Sequence, residues 1–204
     1  MRIASEDLTV DQAVAVCRWY ARQHPATLEL YDFGGTNTDP HPHDTVELSD
    51  AGRLVAINAN LKANDVPTMI HAAANAPWDA VGPEEDLLAT KVPEELLQRA
   101  EKLYRHFRGA GLGPTRTHKL LHLKRPAVYP IVDSVVRVTY KAQAAPDRYW
   151  ATLAAEMRDN AQEYGQLRQI LSGEDLGRLT VPGLHDILVW SLHGPRREAS
   201  RQAT

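Results

Sequence analysis

The sequence predicts a mostly α-helical chain. Apolar residues recur at three- and four-residue spacing through most of its length. The segments so marked open at Ser, Asp or Pro and stop at Gly or before Pro, and strand signals are few and short. The first helix spans residues 9–23, with Val10, Val14, Cys17 and Ala21 on one face, and His24-Pro25 stops it. Residues 28–31 read as a short extended piece, and 32–44 as a polar loop holding two Gly and two Pro. Ser49 reads as the N-cap of a helix over 50–60, with Leu54, Ile57 and Leu61 aligned. A short helix follows at 67–76, and a helical turn or short helix at 83–91.

Pro93 with Glu94-Glu95 opens a stronger helix to about Arg108, striped by Leu97, Ala100, Leu103, Tyr104 and Phe107. A Gly-rich turn at 109–113 leads to a helix over 114–123, closed by Lys124-Arg125-Pro126. Residues 127–132 read as extended, and 134–141 as a short helix with Asp133 at its N-cap. One long helix is expected over 146–171 and a last one over 185–193, before a frayed polar tail at 194–204.

At 204 residues the chain is long enough for one domain with a sizeable core, and no repeat divides it. Its 43% hydrophobic and 24% charged residues are ordinary for a globular protein. No apolar run is long enough for a membrane span. Met1 to Asp7 lacks the apolar core of a signal peptide, so a cytoplasmic protein is expected, with no membrane partner. The single cysteine, Cys17, leaves no internal disulfide, multi-cysteine zinc site or iron–sulfur cluster. It reads as a core thiol.

The informative stretch runs from Gly109 to Val138. Gly111-Leu112-Gly113 forms a hairpin between two helices, and Pro114 starts the second helix. Glycine admits positive φ and close approach of another chain. A helix start behind such a turn presents N–H groups to an anion. A plain helix–turn–helix corner explains the same glycines. Twenty residues after Gly113 stands Asp133, within Tyr129-Pro130-Ile131-Val132-Asp133-Ser134-Val135-Val136-Arg137-Val138.

Gly111-Leu112-Gly113, and Ile131-Val132-Asp133 with Arg137, resemble the helix–hairpin–helix DNA glycosylase superfamily related to endonuclease III. The match covers about thirty residues of the chain. Thr117-His118-Lys119-Leu120-Leu121-His122 with Arg125-Pro126 is also similar to an uncharacterised actinobacterial domain family of this fold. The resemblance implies a two-lobed helical fold, with lobe A at 1–67 and 143–193, lobe B at 68–142, and a cleft between them. It implies a catalytic role for Asp133, which would support attack on the glycosidic carbon and stabilise the cationic sugar. An N-cap needs no catalysis, and the two roles can coexist.

Departures from the family pattern matter as much. Bifunctional members carry a nucleophilic lysine two residues after the hairpin's last glycine, where this chain has Thr115. Lys119 lies one helical turn further on the same face, as a candidate for catalysis or for a phosphate contact. A monofunctional DNA N-glycosylase without a Schiff-base lysine follows, and the absent cysteines mark a branch without a cluster. No cofactor is expected. The alternatives are a DNA-binding or protein-interaction module that kept the fold without the chemistry, and an enzyme acting on a small molecule.

Charge refines the partner. The net charge is -3, yet residues 105–125 hold Arg105, Arg108, Arg116, Lys119, Lys124 and Arg125 with no acid, a local +6 against -9 elsewhere. Double-stranded DNA is therefore expected to contact this stretch alone. Gly111, Gly113, Thr115, Arg116, Arg108, Lys124 and Arg125 are the candidate phosphate contacts. A solvated basic helix face explains the same charges.

Weaker candidates remain. His41-Pro42-His43-Asp44 and the pair His118, His122 have metal-ligand spacing, but a polar linker and a helix lacking His-Glu-x-x-His favour no metal. Tyr31-Asp32-Phe33-Gly34-Gly35 either anchors a loop or lines a base pocket, with the anchor preferred. Trp19, Trp78, Trp150 and Trp190 read as core. His185, Asp186 and His193 read as a polar edge on the last helix.

Overall fold

A computed structural model describes residues 1–32, 43–90, 93–141 and 149–195. Their architecture is mostly helical, and the only sheet among them is a two-stranded hairpin of β1 (Arg2–Ile3) and β2 (Glu6–Asp7). None of their helices is long and apolar enough to cross a membrane.

Thr9 caps α1 (Val10–Gln23) reciprocally. Its hydroxyl accepts the Gln12 N–H at 3.2 Å, and Gln12 Oε1 accepts the Thr9 N–H at 2.9 Å. The short α2 (Pro25–Thr27) follows the expected stop. Residues 28–31 are not extended. Leu28–Asp32 winds into a wide π-type turn that turns Leu28, Tyr31 and Asp32 inward. Helix α3 (Leu48–Ala56) begins two residues before the expected start. Glu47, not Ser49, is the N-cap, and Asp50 at the third helical position accepts the Glu47 N–H at 2.8 Å. After α4 (Asp65–Ala73) and a 3₁₀ turn at Trp78–Ala80, the described residues of 83–91 form turns and no helix.

Helix α5 (Pro93–Gly109), the hairpin and α6 (Pro114–Lys124) follow the sequence expectation closely. Residues 125–132 are wholly buried but form no strand. Their carbonyls find other donors. Thr180 Oγ1 reaches Pro126 O at 2.9 Å, the Leu87 N–H reaches Ala127 O at 3.1 Å, and His122 Nδ1 lies 2.6 Å from Tyr129 O. Asp133 caps α7 (Ser134–Thr139) as expected, accepting the Val136 N–H at 3.0 Å.

The single long helix expected at 146–171 is two helices over its described residues, α8 (Tyr149–Asp159) and α9 (Ala161–Leu171). Asn160 breaks them because its amide is engaged elsewhere. It accepts the Arg2 N–H at 2.7 Å and donates to Arg2 O at 3.0 Å, tying β1 to the helix junction. After a 3₁₀ turn at Asp175–Arg178, α10 (Val181–His193) starts four residues before the expected position. Thr180 is its N-cap and Pro182 lies in its first turn.

Helices α1, α9 and α10 pack together, and α10 also meets α7 and α8. On the other side α5 packs on α6 and α4, and α3 packs on α6, α4 and the turn Leu28–Asp32. Thus α3, assigned to lobe A from sequence, sits against lobe B helices. One apolar cluster runs from Ile3 through Leu120 to Leu192, joining the two sides.

Candidate functional site

A cleft of about 660 Å³ opens where α1, α6, α7 and α10 approach the loop after α3. That volume suits a nucleoside-sized ligand. Gly113, Pro114, Thr115, Arg116 and Lys119 bring the start and first turns of α6 to one wall. Asp133 and Arg137 come from the cap and body of α7. Asp186 and Trp190, four residues apart on α10, line the cleft together with Tyr20, Tyr31 and Asp32.

Lys119 enters from α6 and is 7% exposed. Its ammonium donates to Ile57 O at 2.9 Å, and its own carbonyl accepts the Tyr31 hydroxyl at 2.7 Å. Burial pushes Lys119 below the usual lysine range, and the nearby Asp133 and Asp186 oppose that push. Asp32 is 7% exposed and accepts the Tyr20 hydroxyl at 2.9 Å. Burial raises it to about 7, partly offset by that hydrogen bond. Asp186 is held well above the ordinary carboxylate range by burial and by Asp133 and Asp32, against the pull of Lys119.

The rim is held by backbone carbonyls of the loop after α3. Asn58 and Asn60 both adopt positive φ, at 53° and 49°. Asparagine tolerates this region better than most residues. Asn60 O accepts from Arg116 Nε at 3.1 Å, while Asp65 lies 3.3 Å from the same nitrogen. Arg137 donates to Thr115 Oγ1 at 3.1 Å, linking the start of α6 to α7.

The cleft therefore brings Asp133, Lys119, Gly113, Thr115 and Arg116 together, all singled out from sequence. The remaining basic residues do not join them. Lys124 is 2% exposed and ion-paired with Asp50 at 2.7 Å. Arg125 is 1% exposed; it donates to Val81 O at 2.6 Å and His43 O at 2.9 Å, and pairs with Asp44. Buried and paired, these two offer no surface to a phosphate, which corrects the expectation for them. Desolvated cations are retained only with partners, and each has found one. Arg105 is exposed but bound to Glu101 at 2.7 Å. Arg108 is exposed at the hairpin and donates to Leu112 O. Gly111 has φ 103°, as the hairpin turn requires, but its N–H already donates to Arg108 O at 3.1 Å. Among the hairpin glycines, Gly113 is the one that faces the cleft.

Three cleft residues were not assigned to a site from the sequence. Asp186 read as a polar edge, Trp190 as core, and Asp32 chiefly as an anchor. Asp32 both anchors, through Tyr20, and lines the cleft. The available signal was Asp186 itself, a lone carboxylate between the buried Leu184 and the run Ile187, Leu188 and Val189.

His118 and His122 are buried, and burial pushes both imidazoles down to about 4, favouring the neutral form. No group of three or more potential metal ligands occurs among the described residues. His41, Pro42 and Phe33 to Gly35 lie outside them. Cys17 is fully buried and its thiol is pushed up to about 12, as suits an unreactive core residue.

A family model described as a family of unknown function (DUF6308) matches residues 14–193, a span that includes every wall of the cleft up to Trp190. No curated protein and no solved structure matches the chain.

Proposed function

We propose that this chain, which belongs to the family of unknown function DUF6308, hydrolyses an N-glycosidic bond in the cleft, as a monofunctional DNA N-glycosylase would. The observation that carries the reading is Asp133 in the lining of the cleft, in electrostatic contact with Asp186 and Lys119. Asp133 would assist water in attacking the sugar carbon and stabilise the cationic sugar as the base departs. Lys119 contributes positive charge near Asp133 rather than a Schiff-base nucleophile. Its ammonium is tied to Ile57 O, and Thr115 stands where bifunctional members of the helix–hairpin–helix glycosylase superfamily carry their lysine. The exposed hairpin with Arg108, and the start of α6 at the cleft mouth, support entry of a nucleotide flipped from a duplex.

A second reading, a small N-glycoside as substrate, is favoured by one specific observation. Arg116, Lys124 and Arg125 are satisfied by partners inside the chain, which thins the basic surface a duplex needs.

Both readings are tested by offering duplexes with modified bases and a panel of free nucleosides, and assaying abasic sites and released base. Asparagine is as good an N-cap as aspartate, so Asp133→Asn keeps the start of α7 while removing the charge. We expect it to lower turnover by about 100-fold or more. No product from any substrate, or full turnover by Asp133→Asn, would overturn the proposal.

A further inference from the structure

We propose that Asp186 is the proton donor to the departing base, making the cleft a two-carboxylate site with divided roles. The assignment rests on the N-glycoside reading above. It starts from position: α10 is apolar along most of its length, and Asp186 and Trp190 are the residues it turns toward the cleft. Three carboxyls face one another there, Asp133 from the cap of α7, Asp32 from the wide turn, and Asp186 from α10. Lys119, already bonded to Ile57 O, and the guanidinium groups of Arg116 and Arg137 line the same cleft. The phenols of Tyr20 and Tyr31 and the imidazole of His24 line it too, and neither phenol carries a charge at neutral pH.

Crowded carboxyls do not all ionise together, so one retains a proton. Hydrogen bonds decide which. Asp133 accepts the Val136 N–H and Asp32 accepts the Tyr20 O–H, so each of these two carboxyls has a hydrogen-bond donor. Asp186 has no hydrogen-bond donor among the described residues and keeps its proton, as its strong upward displacement also indicates.

The step balances. Water gives its proton to the Asp133 carboxylate and its oxygen forms the new bond to the sugar carbon. The carbon–nitrogen bond breaks, and its electron pair stays on the base. Asp186 gives its proton to a ring atom of the base, which leaves neutral. Solvent then takes the proton from Asp133 and returns one to Asp186. Two carboxyls in opposite protonation states on the two sides of a glycosidic bond is a recurring solution to this chemistry.

The test uses guanosine and N7-methylguanosine, each as free nucleoside and within a duplex. A neutral guanine needs a proton to leave; the methylated base already carries positive charge and does not. Asp186→Asn is expected to lose about 100-fold or more in kcat on the neutral base. Its loss on the methylated base should be at least about ten-fold smaller, and the falling alkaline limb of the pH profile should vanish. Asp133→Asn is expected to lose turnover on both. Equal losses on the two bases, or an unchanged pH profile, would overturn the role of Asp186 while leaving the N-glycoside reading standing. No product from the native chain with either base, free or in duplex, would remove the donor role with its substrate. The second measurement needs no turnover: the Asp186 carboxyl carbon, followed by NMR in aspartate-labelled protein, should titrate well above the range of an ordinary aspartate, near 4. Titration in the ordinary range would overturn the proposal by itself.

Discussion

Asp32 shows how one buried residue couples stability to pH. The folded state raises its carboxyl from the ordinary 3.8 to about 7, so between those values the folded chain binds a proton the unfolded chain has released. Stability from this residue is therefore complete in acid and is lost as pH rises through about 7. Asn at this position keeps an acceptor for the Tyr20 hydroxyl and never ionises. We expect Asp32→Asn to match the native chain near pH 4 and to exceed it increasingly toward pH 7, by up to about 1.4 kcal/mol per pH unit crossed. Urea unfolding at pH 5 and pH 8 checks this; an equal difference at both would contradict it. The residue scale is also where the sequence was least legible. Asp133 could be found because a helix start and a motif both marked it. Asp32 and Asp186 carry no local pattern, since what makes them unusual is that residues far apart in sequence bring them into one cleft.

At the scale of the element, the hairpin between α5 and α6 depends on one backbone conformation. Gly111 sits at φ 103°, which a side chain rarely adopts, although open space surrounds the position of an added Cβ. Gly109 ends α5 with no positive φ and nothing near an added Cβ. Gly111→Ala should thus cost about 1–2 kcal/mol through strain alone, while Gly109→Ala should be neutral or stabilise by up to about 1 kcal/mol. Thermal unfolding of the two variants tests the contrast; equal effects would mean that the turn relaxes freely. The helices flanking this hairpin were legible because Pro93, Pro114 and an amphipathic stripe mark them. The long helix over 146–171 was misjudged for a physical reason. Periodicity continues across Asn160, and nothing local reveals that its amide is bonded to Arg2 at the other end of the chain. Within the buried run 125–132, residues 127–132 read as extended. Its carbonyls are satisfied by side chains and loops, a distribution that hydrophobic pattern does not encode.

For the whole molecule, the arrangement of charge departs most from its linear pattern. Six basic residues within 105–125 suggested a polycationic face. Folding turns Lys124 and Arg125 into internal struts, pairs Arg116 with Asp65, and places Lys119 in the cleft. Asp50 is 0% exposed between Lys124 and Arg53, so the strut also fixes α3 against α6. Among the described residues, a duplex bound by the native chain would then meet only one or two free cations near the hairpin. The slope of log K against log salt should be about -1 to -2, against about -5 for six phosphate contacts. Fluorescence anisotropy of a labelled duplex across a salt series measures this, and a slope near -5 would contradict the internal pairing.

The cleft is walled by four stretches that are distant in the chain, from Tyr20 to Asp32, Ala56 to Asn60, Gly113 to Arg137, and Asp186 to Pro195. No single helix or hairpin presents it, so it exists only when the molecule is folded throughout. A molecule lodged there acts as a clasp on the whole chain. Occupancy at one hundred times Kd adds about 2.7 kcal/mol against unfolding, and raises the melting temperature of a chain this size by about 5–10 °C. A melting screen over nucleosides, free bases and small cations would therefore register an occupant by the warmth the protein survives, before any bond is broken.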